Sequence, residues 1–336
     1  MDSRYTLFEE ASIAVGIELE NVTLGQGQFG VCVLAKDASK PIAIRIPKHV
    51  LLPSDFIDFK TNTVKAEVET TDEVREYWNL YLATAFNDDI MAERKAIEKS
   101  IADEGLNDWQ AEKQITILAR FMKINETDEE LRQTLSSARV LQREGTLVHM
   151  PYLDFANHRH PSLAFKTTEN GTEIAGDPID GEVFVSYGAH DSMKLLNTYG
   201  FFNPTRFAYA VPSSFNLSAT LQVHLSNRVL DAIRDDELGP LPRIGKGTEG
   251  GILASYCTLG IKDRPRWERR LWRRAVERSV GLDSKEKQMM LNLFPSMQRN
   301  SWRAFWETYR RGEQVKDEQL RTLMMNASAD TMRNTL

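Results

Sequence analysis

The hydrophobic pattern of the chain changes period twice, and this limits the fold more than any other feature. Between Gly30 and Lys48 the isoleucines Ile42, Ile44 and Ile46 alternate with smaller or polar residues, the period of a half-buried strand. Val31 to Ala35 and Pro41 to Ile46 flank the turn-rich Lys36-Asp37-Ala38-Ser39-Lys40 and read as a β-hairpin. From about residue 65 to 140 the period is helical. Val74, Tyr77, Trp78, Tyr81, Leu82 and Ala85 share one helix face behind Thr70 and Glu73, which read as a capping box. Ile115, Leu118 and Met122 mark a second helix beginning near Asp108, and Thr127 with Glu130 opens a third that carries Leu131 and Leu135. Strand signals return from Thr146 to Phe207, broken by turns at Asn170-Gly171 and Asp180-Gly181. A sheet begun before the helices must therefore close across them.

After Pro212 the pattern reads as helical again. It is interrupted by Gly239-Pro240-Leu241-Pro242 and by the glycines from Gly245 to Gly251, which mark a linker. Further on, Trp267, Leu271, Ala275, Met290, Leu291, Leu293, Trp302, Phe305, Trp306 and Tyr309 recur at spacings that suit a helix core better than a ligand cage. The basic run from Arg264 to Arg274 reads as a solvated helix face, with a docking surface for an acidic partner as the sharper alternative.

With 336 residues the chain has room for two domains, or one enlarged by an insertion, and needs no covalent staples. Its two cysteines, Cys32 and Cys257, exclude a disulfide scaffold, cannot build a zinc cluster by themselves and fit a reduced compartment. The start of the chain lacks the basic residues and apolar run of a secretory signal, and nowhere is there an uninterrupted apolar stretch of about 18 residues. A cytoplasmic location is expected, the nucleus being the second compartment open to it. A net charge of −6 gives no electrostatic reason for nucleic acid as the main partner. No membrane and no metal are expected. Asn125-Glu126-Thr127 and Asn170-Gly171-Thr172 match the glycosylation pattern only by chance in polar loops.

One motif misleads. Leu24-Gly25-Gln26-Gly27-Gln28-Phe29-Gly30-Val31, followed by Ile42-Ala43-Ile44-Arg45, imitates a kinase glycine-rich loop, and Asp154-Phe155-Ala156 imitates the metal-binding triplet. Phosphoryl transfer needs a lysine on the second strand and a His-Arg-Asp segment before the triplet. Arg45 stands in the lysine's place and no His-Arg-Asp occurs, so a kinase is excluded.

Three segments carry a more specific pattern. They are Pro151-Tyr152-Leu153-Asp154-Phe155-Ala156-Asn157-His158, then Gly181-Glu182-Val183-Phe184-Val185-Ser186-Tyr187-Gly188, then Asn197-Thr198-Tyr199-Gly200-Phe201. In this order the set resembles the SET-domain protein methyltransferases, in the split-SET branch that includes the Rubisco large-subunit methyltransferase. Gly27-Gln28-Phe29-Gly30-Val31 and Ile46-Pro47-Lys48-His49-Val50-Leu51-Leu52 are similar to that family's opening motifs. The resemblance implies an α+β fold: small pseudoknotted sheets of a SET domain over 22–205, after an N-terminal segment 1–21. It also implies a helical insert at about 65–140 and a mainly helical substrate-binding domain over 206–336.

The resemblance further implies S-adenosylmethionine as cofactor and a protein side-chain nitrogen as acceptor. It assigns the cofactor to Gln28, Phe29 and Gly30, to the pair Asn157 and His158, and to Tyr187, Tyr199 and Phe201. It makes Tyr187 the expected catalytic tyrosine and places Tyr199 also at the border of the substrate channel. Relatives end their insert with Ser-Arg; Ala138-Arg139 stands here, so Arg139 keeps the charge that meets the cofactor's carboxylate. Leu141 falls at a channel position, where an apolar residue favours lysine over histidine as the methylated side chain. A non-histone protein docked on the SET cleft and the C-terminal helices is the expected substrate. The competing expectations are histidine methylation and a fold that binds a partner without turnover. Asp154 is expected to satisfy buried backbone donors, and His149, His160 and His190 to lie in loops or at the surface.

Overall fold

The computed structural model describes residues 3–27, 30–226, 233–235, 239–247 and 251–335. The chain divides into two compact units, one made of residues 1–96 and 124–187, the other of 97–123 and 188–336.

In the first unit α1 (Ser3–Ala14) precedes β1 (Glu18–Glu20), β2 (Val22–Gly27), β3 (Gly30–Ala35) and β4 (Ile42–Pro47). Phe8 of α1 is fully buried and stacks on Tyr77 and Tyr152. The expected hairpin between residues 31 and 46 does not form. β3 pairs instead with β2, through Gly27 opposite Gly30, while β4 pairs with β1. The cause is Asn21, whose amide donates to the carbonyls of Asp37, Lys40 and Pro41 and accepts from the Asp37 N–H. The connection is thereby a wide loop pinned at the start of β2, too open for a two-strand turn.

Short strands β5 (Leu52–Pro53), β6 (Ile57–Asp58) and β7 (Thr63–Val64) lead to α2 (Asp72–Ala85) and α3 (Asp88–Asp103), the second of which runs on into the other unit. The N-cap of α2 is Thr71, accepting from the Val74 N–H, one residue later than the sequence suggested. α5 (Asp128–Ser136), which follows α4 (Leu106–Lys113), opens with the expected capping box of Thr127 and Glu130. Then come β8 (Val140–Arg143), β9 (Thr146–His149), β10 (Asn157–Leu163), β11 (Lys166–Thr168), β12 (Gly171–Gly176) and β13 (Phe184–Val185).

The sheet closes across the helices as the change of period required: β4 lies between β1 and β12, with Ile44 opposite Ile174, and β11 forms the far edge. Gly171 makes this approach possible. A Cβ there would stand 1.9 Å from the Ile46 carbonyl oxygen, so only glycine fits.

The second unit holds α4 and the segment Ile115–Met122, which is buried but turns irregularly where a helix was expected. α6 (Ser192–Tyr199) interrupts the strand signals expected up to Phe207; Asp191 caps it by accepting from the Lys194 N–H. Among the described residues from 213 to 261, strands stand where a helix was expected. β14 (Phe207–Tyr209) pairs with β21 (Thr258–Ile261), and β15 (Ser213–Asn216), β16 (Gln222–Ser226), β20 (Ile252–Ser255) and β19 (Arg243–Lys246) form one sheet in that order. β17 (Ile233–Asp235) and β18 (Gly239–Leu241) form a ribbon, so most of the supposed linker is strand, and 248–250 lies outside the described residues. Burial alternates in β16, with Val223 and Leu225 inside, which is the strand period hidden by mixed polar neighbours.

The C-terminal region is helical as expected: α7 (Trp267–Arg278), α8 (Ser284–Gln314) and α9 (Glu318–Asn334). Leu271, Trp272, Ala275 and Phe305 are buried. Trp302 and Trp306 are each 41% exposed and stack on one another, a departure from the expected helix core. Arg264 and Arg270 lie over the Trp267 ring, so part of the basic run is spent covering one aromatic side chain.

Candidate active site

The site in the first unit begins with a strained turn. Tyr152, fully buried, has φ 74° and ψ −51°, a conformation rare for a bulky residue. It swings the chain into the 3₁₀ turn Leu153–Phe155 and delivers Asn157 to the first position of β10. β10 runs parallel to β13, with Asn157 opposite Phe184 and His158 opposite Val185. Residues 157 and 158 and residue 187, separated in sequence by the β11 and β12 excursion, are thus set side by side.

The hydrogen bonds are specific. The Tyr187 N–H donates to Nδ1 of His158 at 3.0 Å, and the two rings stand 5.0 Å apart. The Tyr187 phenol donates to the Ala156 carbonyl at 2.8 Å. His158 is buried, which pushes its pKa down to about 4, with His160 adding to the fall. It is therefore a neutral imidazole at neutral pH. Asn157 donates from Nδ2 to Oε1 of Glu182 at 2.7 Å. His160, expected in a loop, is half-buried on β10 and shares a hydrogen bond with Ser186.

Glu182 links this group to the β2 and β3 hairpin. It bridges Leu34, and its carboxylate lies 3.2 Å from where a Cβ on Gly27 would stand. Burial, with Glu182 next, pushes the neighbouring Cys32 thiol up to about 12, so that cysteine is inert at neutral pH. Gly30 has φ 97° with open space around the place of a side chain. Gln28 and Phe29 lie outside the described residues.

Arg139 belongs to a second group. Its guanidinium faces Asp154 at 3.9 Å and lies over the rings of Phe86 and Phe155. Asp154 accepts from the Tyr81 hydroxyl, which also meets His149, and His149 reaches the Ser136 hydroxyl at 2.9 Å. Where backbone donors were expected for Asp154, its carboxylate meets the Tyr81 hydroxyl, the Arg139 guanidinium and its own backbone N–H. Burial raises its carboxyl to about 6 against the pull of Arg139. His149 is fully buried, correcting its assignment to a loop: burial and then Arg139 hold it down at about 3. Leu141, on β8 opposite Val148, packs half-buried against the core of this unit.

Tyr199 and Phe201 come together in the second unit, their ring centroids 5.9 Å apart. Burial raises the Tyr199 phenol to about 12, with Arg120 acting in the opposite sense. His190 lies in the loop before α6, as expected, but is buried at 1% exposure and packs on Tyr199. Asn197 of the same motif accepts from the backbone N–H groups of Arg120 and Phe121, and so fixes the end of the 97–123 segment within this unit.

Sequence reasoning passed over Glu182 and Tyr81. Glu182 stands in a motif that was read, but its partner Asn157 is far along the chain. Tyr81 falls on the apolar face of α2, and nothing near it in sequence marks its hydroxyl as a partner of Asp154.

No family model matches the chain, and no curated protein matches it. Solved structures do. The SET domain of LSMT bound to lysine and AdoHcy is 12% identical over 100% of this chain and 90% of that chain, with a TM-score of 0.46. Rubisco LSMT bound to sinefungin and monomethyllysine is 12% identical over 100% and 90%, with a TM-score of 0.48. Rubisco LSMT bound to AdoMet is 13% identical over the same shares, at 0.45. At such identities the weight rests on the side chains themselves.

Their chemistry fits S-adenosylmethionine. That molecule offers an ammonium and a sulfonium as cations, a carboxylate, and an adenine with donors and acceptors. Asn157 supplies an amide carbonyl and Gly30 a backbone with room for close approach, while the cation of Arg139 lies in the second group and faces Asp154. Among the described residues no group of three His, Cys, Asp or Glu is placed to hold a metal ion.

Proposed function

We propose that the chain is an S-adenosylmethionine-dependent protein methyltransferase of the SET type that methylates lysine on a non-histone protein. The observation that carries this is the convergence of Asn157, His158 and Tyr187, three residues of two separate motifs: the first two open β10, and Tyr187 follows β13, the parallel partner of β10. The bound cofactor supplies an electrophilic methyl on sulfur, and the protein's task is to align and to exclude water. Asn157, Arg139 and the Gly30 backbone hold the cofactor. His158, kept neutral, fixes the backbone of Tyr187. Tyr187, anchored on the Ala156 carbonyl, presents a phenolic oxygen whose lone pairs can orient an incoming amine.

A lysine amine has a pKa of about 10.4 in water and must arrive neutral, at about 1.4 kcal/mol for each unit of lowering. Leu141 gives an alkyl-amine channel an apolar wall. The protein substrate docks in part through the C-terminal helices, in the cytoplasm.

The test is transfer of tritium from labelled S-adenosylmethionine into proteins of a cell extract, followed by acid hydrolysis of the labelled product. Labelled methyl-lysine is the expected result. Methylhistidine would move the target to the other side chain, and no label together with no cofactor binding would leave a partner-binding fold without turnover.

A further inference from the structure

Glu182 joins more of the first unit's site than any residue given a role above. Its carboxylate receives the Asn157 amide N–H at 2.7 Å, lies 3.2 Å from where a Cβ on Gly27 would stand, and lies beside Cys32, whose sulfur is the nearer neighbour of that place. Its own backbone bridges Leu34 of β3 and Ile179. One side chain thus touches the hairpin and the first residue of β10 together. A primary amide has a donating end and an accepting end of nearly equal shape, and nothing in Asn157 alone decides which end points where. The Oε1 atom of Glu182 accepts from Nδ2 of Asn157. Glu182 therefore holds the donating end, and the Oδ1 end is left as the free pole of the amide.

We infer that Glu182 is a positioning residue: it turns the Asn157 amide so that its carbonyl oxygen accepts from the ammonium group of S-adenosylmethionine. This rests on the cofactor assignment proposed above. Were the amide reversed, its NH₂ group would meet an ammonium donor and repel it. Glu182 acts through Asn157 and touches no ligand itself.

The experiment is calorimetric binding of S-adenosylhomocysteine to the full chain and to four variants: Glu182→Ala, Glu182→Gln, Asn157→Ala and the double alanine variant. Glu182→Ala is expected to weaken binding about tenfold, the worth of one oriented charge-assisted hydrogen bond. Glu182→Gln keeps an oxygen acceptor and is expected to bind within about threefold of the natural protein. On an Asn157→Ala background the Glu182→Ala change is expected to have no further effect, because the group it orients is gone. A packing role would give the same loss on both backgrounds, and that result overturns the inference, as does no loss at all. Should Glu182→Ala fail to fold, a loss of tenfold or more in Glu182→Gln overturns it equally. If the natural protein itself binds no S-adenosylhomocysteine, the cofactor assignment falls and takes this inference with it; binding by the natural protein with an unaffected Glu182→Ala variant sinks the inference alone.

Discussion

Tyr187 is tied at both ends, by its N–H to the His158 imidazole and by its phenol to the Ala156 carbonyl. Removing only the hydroxyl takes away the phenolic tie and leaves the one through the backbone N–H in place. Tyr187→Phe is expected to lower turnover about 10²-fold or more while leaving S-adenosylhomocysteine affinity within a few-fold, the signature of an interaction used in the transition state. Initial rates and equilibrium binding measure the two halves; unchanged turnover would remove Tyr187 from the mechanism. His158 carries a pH prediction. Its folded pKa of about 4 lies below the unfolded value near 6.5, so the stability it contributes is intact above 6.5 and withdrawn as pH falls toward 4. Asp154, raised to about 6, acts in the opposite direction, because the folded chain takes up that proton before the unfolded chain does. A comparison with His158→Asn cancels it. The amide oxygen can still accept from Tyr187 but does not titrate, so urea titrations should show a larger stability deficit for the variant at pH 7 than at pH 4.5. An equal deficit at both would mean that His158 is not held neutral.

Strands β4 and β12 are the elements on which the site hangs, since they bring the two halves of the split sheet together. Gly171→Ala would drive a methyl into the Ile46 carbonyl and is expected to cost about 2–4 kcal/mol, read as a shift in the urea midpoint. A loss under about 0.5 kcal/mol would show that the strands can separate without harm. Where one period dominated, the elements were legible: the apolar stripe of α2, the Thr127 capping box and the isoleucines of β4 all stand where the residues placed them. Legibility failed where a side chain far away decided. Asn21 opens what looked like a hairpin, and short strands with one buried face, such as β16, resemble helix in a mixed sequence. The site followed the same rule. Asn157, His158 and Tyr187 could be read from local motifs, but Glu182 and the Tyr81, His149 and Asp154 group depend on pairings 25 to 73 positions apart. No window of sequence contains those pairs.

At the scale of the whole molecule, the chain order and the compact units do not coincide. Residues 97–123 belong with 188–336, and Ile101, Leu106, Ile115, Leu118, Phe121 and Met122 are buried in the core of that second unit. A fragment ending at residue 205 would keep these six apolar side chains and lose most of what covers them. It is expected to bind a hydrophobic dye and to be cut by protease within 97–123, whereas the full chain resists; a fragment as protected as the full chain would contradict this division. The account as a whole stands on one ligand position. A crystal structure of the full chain with S-adenosylhomocysteine should place the ammonium within hydrogen-bond reach of Oδ1 of Asn157 and turn the sulfur toward the Tyr187 hydroxyl. Ligand density that touches neither residue, or none at millimolar ligand, would contradict the account.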